Sequence, residues 1–264
     1  MQPACFVLSL IVLVVATLRL MARERRHDMA LSRPQLPTTV SPVLELPVFT
    51  MTSILPYNRA LRHNIRLHRN KSGFRLRVFT ESTARSFVHK NCPESAAAYD
   101  DLIPKAFKAD VARLCMLYHH GGTWLDDDLA LERPLDAFDT IPGQLLLIED
   151  NLYLPSHPWR YGIWNAIIIV RRRHHPFIGC ALNLATHRVQ QHFRGETALS
   201  MTGPFVVSEC VPAHADINVL GYWKGRTISL AETWNKEVIV RHWKVPRNNS
   251  VPAYYLSGRW FYSE

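Results

Sequence analysis

The amino-acid sequence predicts an α/β domain in which helices cover a mostly parallel β-sheet. Strand-like and helix-like segments alternate between residues 46 and 242, which is typical of this fold class. The segment NAIIIV (165–170) is apolar on both alternating faces, as expected for a strand in the middle of such a sheet. With 264 residues and 47% hydrophobic content, the chain is long enough for one substantial domain.

The first 21 residues are predicted to be a membrane anchor. Residues 1–18 contain no charged side chain, and a membrane-spanning helix needs about 20 apolar residues. No positive charge precedes the apolar run, so we expect a signal-anchor rather than a cleaved signal peptide. Residues 22–46 are rich in Arg, Pro, Ser and Thr and are predicted to be a stem. Residues 47–264 then form the globular domain.

The sequence leaves open which side of the membrane carries the domain. Arginines follow the apolar run, and positive charge tends to stay cytosolic. Two glycosylation sequons, beginning at Asn70 and Asn248, would instead matter only in the lumen of the Golgi or the endoplasmic reticulum. The five cysteines form no C-x-x-C pair, so we predict no zinc site, and their spacing does not determine disulfide pairing.

The first part of the domain is predicted to alternate strands with helices. The alternation of apolar and basic residues in FRLRVFT indicates a strand, and Gly73 is suited to end the helix before it. Ser82 is predicted to cap the next helix. In chain order, the expected elements are a strand in LPVFTMTS (46–53), a helix (56–71), a strand (74–80), a helix (82–89) and a short helix (93–102).

The clearest helix of the sequence covers residues 104–120. Pro104 lies near its start, and Gly121 lies where a glycine commonly ends a helix. One apolar stripe runs along it at positions i, i+4, i+7 and i+11. The stripe consists of Phe107, Val111, Leu114 and Tyr118.

Shorter strands and helices are predicted after this helix. Thr123–Leu125 is a short apolar strand, and Thr202-Gly203-Pro204 interrupts the chain before another short helix. The other expected elements are strands in QLLLIED (144–150), NAIIIV (165–170) and VIVRH (238–242), and a helix over 176–193.

Three consecutive aspartates, Asp126–Asp128, follow the short strand and predict a metal site. In an extended segment Asp126 and Asp128 would face one side and Asp127 the other. Mg²⁺ and Mn²⁺ are commonly held by one or two carboxylates together with substrate phosphates. Ligands of α/β sheets bind at the carboxyl ends of strands. We therefore expect Mn²⁺ or Mg²⁺ to bind here with a diphosphate, and an acidic surface turn is the alternative.

Asp110 and Arg113 precede the aspartates on the long helix. They are three positions apart, so they share one side of the helix. One interpretation is an ion pair worth a few tenths of a kcal/mol. In the other, Asp110 accepts hydrogen bonds from sugar hydroxyls and Arg113 reaches a sugar or phosphate oxygen.

The stretch KADVARLCMLYHHGGTWLDDDL resembles the signature of the glycosyltransferases with a DXD sugar-binding region. This group includes Golgi and sphingolipid mannosyltransferases and is related to glucosylating toxins. The resemblance continues in Thr202-Gly203-Pro204 and in a late His before Trp, although LPVFTM replaces the opening His-Gln-x-Trp of the family. The residues that carry the signature are Ala109, Asp110, Val111, Arg113, Leu117, Tyr118, Gly121, Gly122, Trp124, Leu125, Asp126 and Asp128.

The resemblance implies a GT-A fold, which is a Rossmann-like α/β domain that binds a nucleotide sugar. It implies a metal-dependent, retaining transfer of a hexose from GDP-mannose or a UDP-hexose to a glycan, lipid or protein acceptor. The expected catalytic residues are Asp110, Arg113, Asp126 and Asp128. The expected contacts with the nucleotide sugar come from Asp110, Arg113, Gly122, Trp124, Asp127 and Asn165.

The resemblance also implies that Asp126, Asp128 and His242 bind the metal. A purely structural role is the alternative for His242 beside Trp243, and also for Asn165 at its strand. Histidine is the commonest metal ligand among side chains, which favours the metal role for His242.

Two other functions remain compatible with the sequence. The net charge of +9 also suits a metal-dependent nucleotidyl or phosphodiester enzyme that acts on nucleic acid, with the aspartates as a two-metal site. A membrane-tethered binding module without enzymatic activity is the other. No nucleic-acid partner is expected, because the basic residues are not interleaved with aromatic residues and match no known nucleic-acid-binding module.

Overall fold

The structure is a computed structural model that describes most of the globular domain. The described residues are 42–52, 58–153, 161–195, 197–211, 217–224, 227–229 and 238–242. The predicted anchor (1–21) and most of the stem lie outside these ranges. Within them, no helix is long and apolar enough to cross a membrane.

The described part of the chain forms nine strands and six α-helices. The strands are β1 (Pro47–Met51), β2 (Arg75–Phe79), β3 (Gly122–Leu125), β4 (Leu129–Leu131), β5 (Leu145–Tyr153), β6 (Tyr161–Val170), β7 (Ile217–Lys224), β8 (Thr227–Ser229) and β9 (Val238–His242). The helices are α1 (Arg59–Leu67), α2 (Glu81–Asn91), α3 (Pro93–Asp101), α4 (Lys105–His120), α5 (Pro176–Gln190) and α6 (Pro204–Cys210).

The nine strands form one mixed sheet in the order β2-β1-β3-β6-β5-β7-β8-β9-β4. The α/β class is confirmed, but the prediction of a mostly parallel sheet is wrong. Parallel pairing joins β1 to β2 and to β3, and β5 to β7, whereas the other five neighbouring pairs are antiparallel. Residues 154–160 connect β5 to β6, which is shorter than the crossover of about a dozen residues that parallel strands need, so these strands pair antiparallel. Strands β4, β7 and β8 had not been predicted.

The sheet has a hydrophobic cluster on each face, which confirms β6 as a central strand. Ile168 and Val170 belong to the cluster that includes residues of the helices α2–α6. Ile167 and Ile169 point the other way and pack in the second cluster. This second cluster also contains Val43, which is fully buried. Residues 42–46, which the sequence assigned to the end of the stem, therefore include a part of the packed domain.

Helix α4 confirms the strongest helix prediction and is more buried than expected. Gly121 has φ of +62° at the end of the helix, a conformation that favours glycine. Every residue from Asp110 to Leu117 is buried, so the helix packs on several sides rather than along one stripe. The predicted start of α2 is wrong by two positions. Thr80 caps it, because its hydroxyl accepts from the backbone N–H of Thr83.

Two disulfide bonds join helices within the domain. Cys92, between α2 and α3, is bonded to Cys115 of α4. Cys180 of α5 is bonded to Cys210, the last residue of α6. The sequence alone had left these pairings open.

Candidate active site

Asp126, Asp127 and Asp128 lie in a tight turn between β3 and β4. The backbone N–H of Leu129 donates to the carbonyl of Asp126 at 3.1 Å, and the N–H of Asp126 donates to the carbonyl of Ala166 at 2.9 Å. The sequence analysis treated residues 126–128 as extended, and that assumption is wrong because they form a turn. The turn itself keeps the three aspartates together at the carboxyl end of β3.

Two asparagines near α1 hold this turn in place. Asn58 caps the helix by accepting from the N–H of Leu61 at 2.9 Å, and its amide donates to the carbonyl of Asp127 at 2.6 Å. The buried Asn64 donates to the carbonyl of Leu129 at 2.7 Å and accepts from the N–H of Leu131 at 2.8 Å. The sequence analysis missed both residues. An Asn before a helical pattern signals a cap, but nothing local indicated its second contact.

The carboxylate of Asp126 is oriented by two side chains behind it. Its Oδ1 accepts from the indole Nε1 of Trp124 at 2.6 Å and lies 3.2 Å from Nη2 of Arg113. The guanidinium of Arg113 also lies over the Trp124 ring, 5.0 Å from its centroid. Trp124 is only 1% exposed. It therefore positions Asp126, and its predicted contact with the nucleotide sugar stays a prediction.

Arg113 connects the long helix to the turn. Its Nη2 lies 3.2 Å from Oδ1 of Asp110 as well as from Oδ1 of Asp126. Its Nη1 donates to the backbone carbonyl of Asn165. The ion pair expected within α4 is thus present, and one guanidinium, itself 4% exposed, serves two carboxylates.

Asp110 is held by side chains from three different segments. Its Oδ1 accepts from the amide of Asn165 at 3.0 Å, and its Oδ2 accepts from the hydroxyl of Thr202 at 2.9 Å. Asp110 is 8% exposed, and Thr202 is fully buried. Thr202 was not predicted as a site residue. The Thr-Gly-Pro motif that contains it was the available signal.

Burial raises the pKa of both carboxylates that contact Arg113. For Asp126, desolvation raises the pKa to about 6. The neighbouring Asp128 and Asp110 also raise it, whereas Arg113 and the Trp124 hydrogen bond lower it. For Asp110, desolvation raises the pKa against the opposing effects of Arg113, Thr202 and Asn165. One arginine thus compensates the two negative charges only in part, and a cation at this site would be favourable.

The predicted metal ligands come from the aspartate turn before β4 and from the end of the neighbouring strand β9. Asp126 and Asp128 are both partly accessible, and the side chain of Asp126 is 31% exposed. His242 is placed opposite Leu129 in the antiparallel pairing of β4 with β9, so its backbone lies beside the aspartate turn. Carboxylate oxygens are the ligands that Mg²⁺ and Mn²⁺ prefer, so the carboxylates of Asp126 and Asp128 fit the expected metal.

A second potential metal cluster is explained by a disulfide. In the part of the chain that the structure describes, one group of three His, Cys, Asp or Glu side chains has ligand atoms within 4.8 Å of one another. This group contains Cys92, Cys115 and His119, and its two cysteines are bonded to each other.

Gly122 and Asn165 each have a structural role in this fold. Gly122 has φ of +105°, and a Cβ there would lie 2.3 Å from the carbonyl of Pro47. It begins β3 and therefore lies at the opposite end of that strand from Asp126. Asn165 is only 7% exposed and is bonded to Asp110.

Comparison with known proteins agrees with the resemblance seen in the sequence. Residues 57–146 match the family described as the glycosyltransferase sugar-binding region containing the DXD motif. Two relatives from Schizosaccharomyces pombe are named inositol phosphoceramide mannosyltransferases 3 and 1. The first is 28% identical over 131 residues, which cover 50% of this chain and 34% of the relative. The second is 27% identical over 146 residues, which cover 54% and 42%.

The chain thus spans less than half the length of both relatives. Among solved structures, the PaToxG glycosyltransferase aligns with a TM-score of 0.48 at 16% identity, over 66% of this chain and 69% of that one. The apo form of mouse xyloside xylosyltransferase 1 aligns with a TM-score of 0.38 at 11% identity, over 67% and 85%. The resemblance seen in the sequence is confirmed: residues 57–146, which contain Asp110, Arg113 and the aspartate turn, match the glycosyltransferase family with the DXD sugar-binding region.

Proposed function

We propose that this protein is a metal-dependent glycosyltransferase that transfers a hexose from a nucleotide sugar. The observation that carries the proposal is that Arg113 is shared between Asp110 of α4 and Asp126 of the aspartate turn. This contact brings the charged residues of the family signature together at the carboxyl end of β3, and ligands of α/β sheets bind at the carboxyl ends of strands. We further propose that the domain has the GT-A fold and retains the anomeric configuration of the sugar.

Asp126 and Asp128 would hold Mn²⁺ or Mg²⁺, with His242 as a third ligand from the protein. When bound, the metal neutralises the charge that develops on the departing diphosphate. Arg113 and Trp124 fix Oδ1 of Asp126 from behind, so the carboxylate needs little reorganisation when it binds the metal. We also propose that Asp127, from the same turn, contacts the nucleotide.

Asp110 is suited to bind a hydroxyl of the sugar. Its Oδ1 faces both Arg113 and Asn165, whereas its Oδ2 accepts from Thr202. A carboxylate oxygen can accept two hydrogen bonds, so Oδ2 has capacity for one further donor. Such a hydroxyl would be fixed relative to the metal, because Arg113 joins Asp110 to the aspartate turn.

The identity of the donor and the acceptor is a further part of the proposal. Both relatives from S. pombe are named mannosyltransferases of inositol phosphoceramide, which supports GDP-mannose as the donor to test first and a lipid as the acceptor. UDP-hexoses and glycan or protein acceptors are the alternatives that the sequence left open. The other function considered, a nucleic-acid phosphodiester enzyme, required a further carboxylate for a second metal. Asp110 and Asp126 share Arg113 equally, so this function is separated from sugar transfer by the oligonucleotide control of the donor screen.

A donor screen tests this function directly. The purified full-length chain is incubated with GDP-mannose and with each UDP-hexose, with and without Mn²⁺, and release of the nucleoside diphosphate is measured. We expect one donor to be hydrolysed or transferred only in the presence of the metal. Absence of turnover and of metal-dependent binding for every donor would overturn the proposal. Binding of oligonucleotide instead would favour the phosphodiester enzyme.

We also propose that the domain lies in the lumen and is anchored by residues 1–21. Two disulfides between helices, Cys92–Cys115 and Cys180–Cys210, support this, because disulfides persist in oxidising compartments. Asn70 of the first sequon is exposed in a turn after α1, where an oligosaccharide could be attached. Protease treatment of sealed microsomes distinguishes the two orientations. A lumenal domain is protected until detergent is added, whereas digestion in intact microsomes would contradict the proposal.

A further inference from the structure

A cavity lined by arginines lies at the amino ends of strands β1 and β2, whereas the aspartate turn follows the carboxyl end of β3. Its volume is about 390 Å³, and its lining includes Arg75, Arg77, Arg171, Arg173 and, as the one acidic residue among the described residues, Glu45. Arg75 begins β2, which runs parallel to β1, and β1 runs parallel to β3. The cavity therefore lies at the amino ends of these strands, whereas Asp126 follows the carboxyl end of β3. It is separate from the proposed donor site.

Three of the arginines that line the cavity are exposed. Within the described ranges, Arg75, Arg77 and Arg173 form no ion pair with a carboxylate. The exposed Arg85 behaves differently, because its guanidinium contacts both carboxylate oxygens of Asp100. The three positive charges at the cavity thus lack the carboxylate partner that Arg85 has.

Arg171 adds a buried positive charge to the same cavity. It is 6% exposed, and its guanidinium donates to the backbone carbonyls of Phe138, Ile141 and Gly143 at 2.6 to 3.0 Å. Its Nε is buried and has no hydrogen-bond partner among the described residues. Carbonyl groups orient this guanidinium, and the negative charge of Asp139 favours its charged form, so Arg171 adds a fixed positive charge behind the three exposed arginines.

The pKa of a neighbouring histidine is lowered by burial and by two of the same arginines. His120, which ends α4, also lines the cavity. Burial lowers its pKa first, and the nearby Arg77 and Arg173 lower it further. Such a concentration of like charge costs free energy unless an anion binds. Arginine forks match the oxygens of a phosphate group, which makes phosphate the best suited anion.

We propose that this cavity is a second binding site that takes a phosphate-bearing ligand, which the exposed guanidinium groups of Arg75, Arg77 and Arg173 contact. The site goes beyond the proposed transfer of a sugar, since neither the metal nor the aspartate turn takes part in it. The ligand carries a terminal phosphate or a pyrophosphate group. Such a group belongs either to a lipid headgroup or to a soluble compound, and the experiment separates these two sources.

Calorimetric titration of the full-length chain in neutral detergent tests the site. The probes are inorganic pyrophosphate and short-chain phosphatidic acid, both in the presence of a chelator so that no metal bridges the probe to Asp126 or Asp128. Saturable binding of pyrophosphate would identify a soluble phosphate group as sufficient. Binding of phosphatidic acid alone would identify a lipid headgroup. No saturable binding of either probe would overturn the proposal.

Adjacent arginines provide a matched pair of variants. Arg172 and Arg173 are both exposed, but only Arg173 lines the cavity. We expect Arg173→Gln to weaken binding of the probe by about tenfold or more, since hydrogen bonds to charged groups are strong. Arg172→Gln, which removes the same charge, should leave binding almost unchanged. Equal losses in the two variants would indicate a general effect of net charge and would also overturn the proposal.

The test is independent of the proposed enzymatic function. An Asp126→Asn variant should bind the probes as the unmodified chain does, because the aspartate turn lies at the opposite ends of the strands from the cavity. Failure of the donor screen would leave this result intact. Conversely, loss of probe binding in Arg173→Gln would not by itself change the metal-dependent turnover of a donor.

Discussion

Nη2 of Arg113 lies 3.2 Å from Oδ1 of Asp126, and this contact joins the long helix α4 to the aspartate turn. The same nitrogen lies 3.2 Å from Oδ1 of Asp110. Because one buried guanidinium serves two carboxylates, a change in any of these three residues alters the environment of the other two. The predictions below use this dependence.

Replacement of Asp126 by Asn should stop sugar transfer while the fold is kept. The amide is a poor metal ligand, so we expect the rate to fall by about two orders of magnitude or more. Asp128→Asn should behave in the same way. Steady-state release of the nucleoside diphosphate measures the loss, and circular dichroism checks the fold. The charge-matched variant Asp101→Asn, at the partly exposed end of α3, should retain activity. Full turnover in both turn variants would exclude them from catalysis.

The stability of the metal-free protein should depend on pH through Asp126. Its pKa is raised from 3.8 to about 6 in the folded state. Between these values the folded protein holds a proton that the unfolded chain has lost, so the free energy of unfolding falls as the pH rises through this window. Because the side chain is 31% exposed, we expect an effect on the order of 1 kcal/mol.

The same Asp126→Asn variant provides the control for this pH dependence. Asparagine does not titrate, so the variant should gain stability relative to the unmodified protein as the pH rises toward about 6. Urea unfolding with a chelator present, at several pH values, measures the difference. A difference that stays constant across the window would show that Asp126 titrates at its ordinary pKa.

Arg113→Met should destabilise the domain strongly. It leaves Asp110 and Asp126 without their shared cation, and breaking a buried ion pair on one side costs about 3 to 5 kcal/mol. Adding Asp110→Asn to this variant should recover part of the loss, because one of the two stranded charges is removed. Chemical unfolding of both single variants and the double variant gives the coupling energy. Strictly additive effects would contradict the shared contact.

Thr202→Val should destabilise the domain through Asp110. It removes the hydroxyl that donates to Oδ2 of Asp110 at 2.9 Å within a fully buried contact, which we expect to cost about 1 to 3 kcal/mol. Thr202→Ser keeps the donor and serves as the control. Sugar transfer should fall in the valine variant and remain in the serine variant. Equal activity of the two would show that Thr202 has no influence on the orientation of Asp110.

The sequence by itself determined the features that depend on residues close together in the chain. The helical stripe and Gly121 fixed the end of α4, and the apolar run of residues 165–170 fixed a strand that is buried on both faces. The spacing of Asp110, Arg113, Asp126 and Asp128 identified the family. In each case the physical cause is local, since helix periodicity, strand alternation and glycine conformation act over a few residues.

Only the tertiary structure decided which distant residues meet. Thr202 contacts Asp110 across 92 positions, Asn58 supports the aspartate turn across 69, and Cys180 pairs with Cys210 across 30. The mixed direction of the sheet was likewise invisible, because it depends on the path of the chain between strands. A side chain that caps a helix or packs in a core can also contact a residue far away in the sequence, and the residues next to it in the sequence do not indicate that contact. Contacts of this kind follow from the fold as a whole, and they hold the aspartate turn and Asp110 in place.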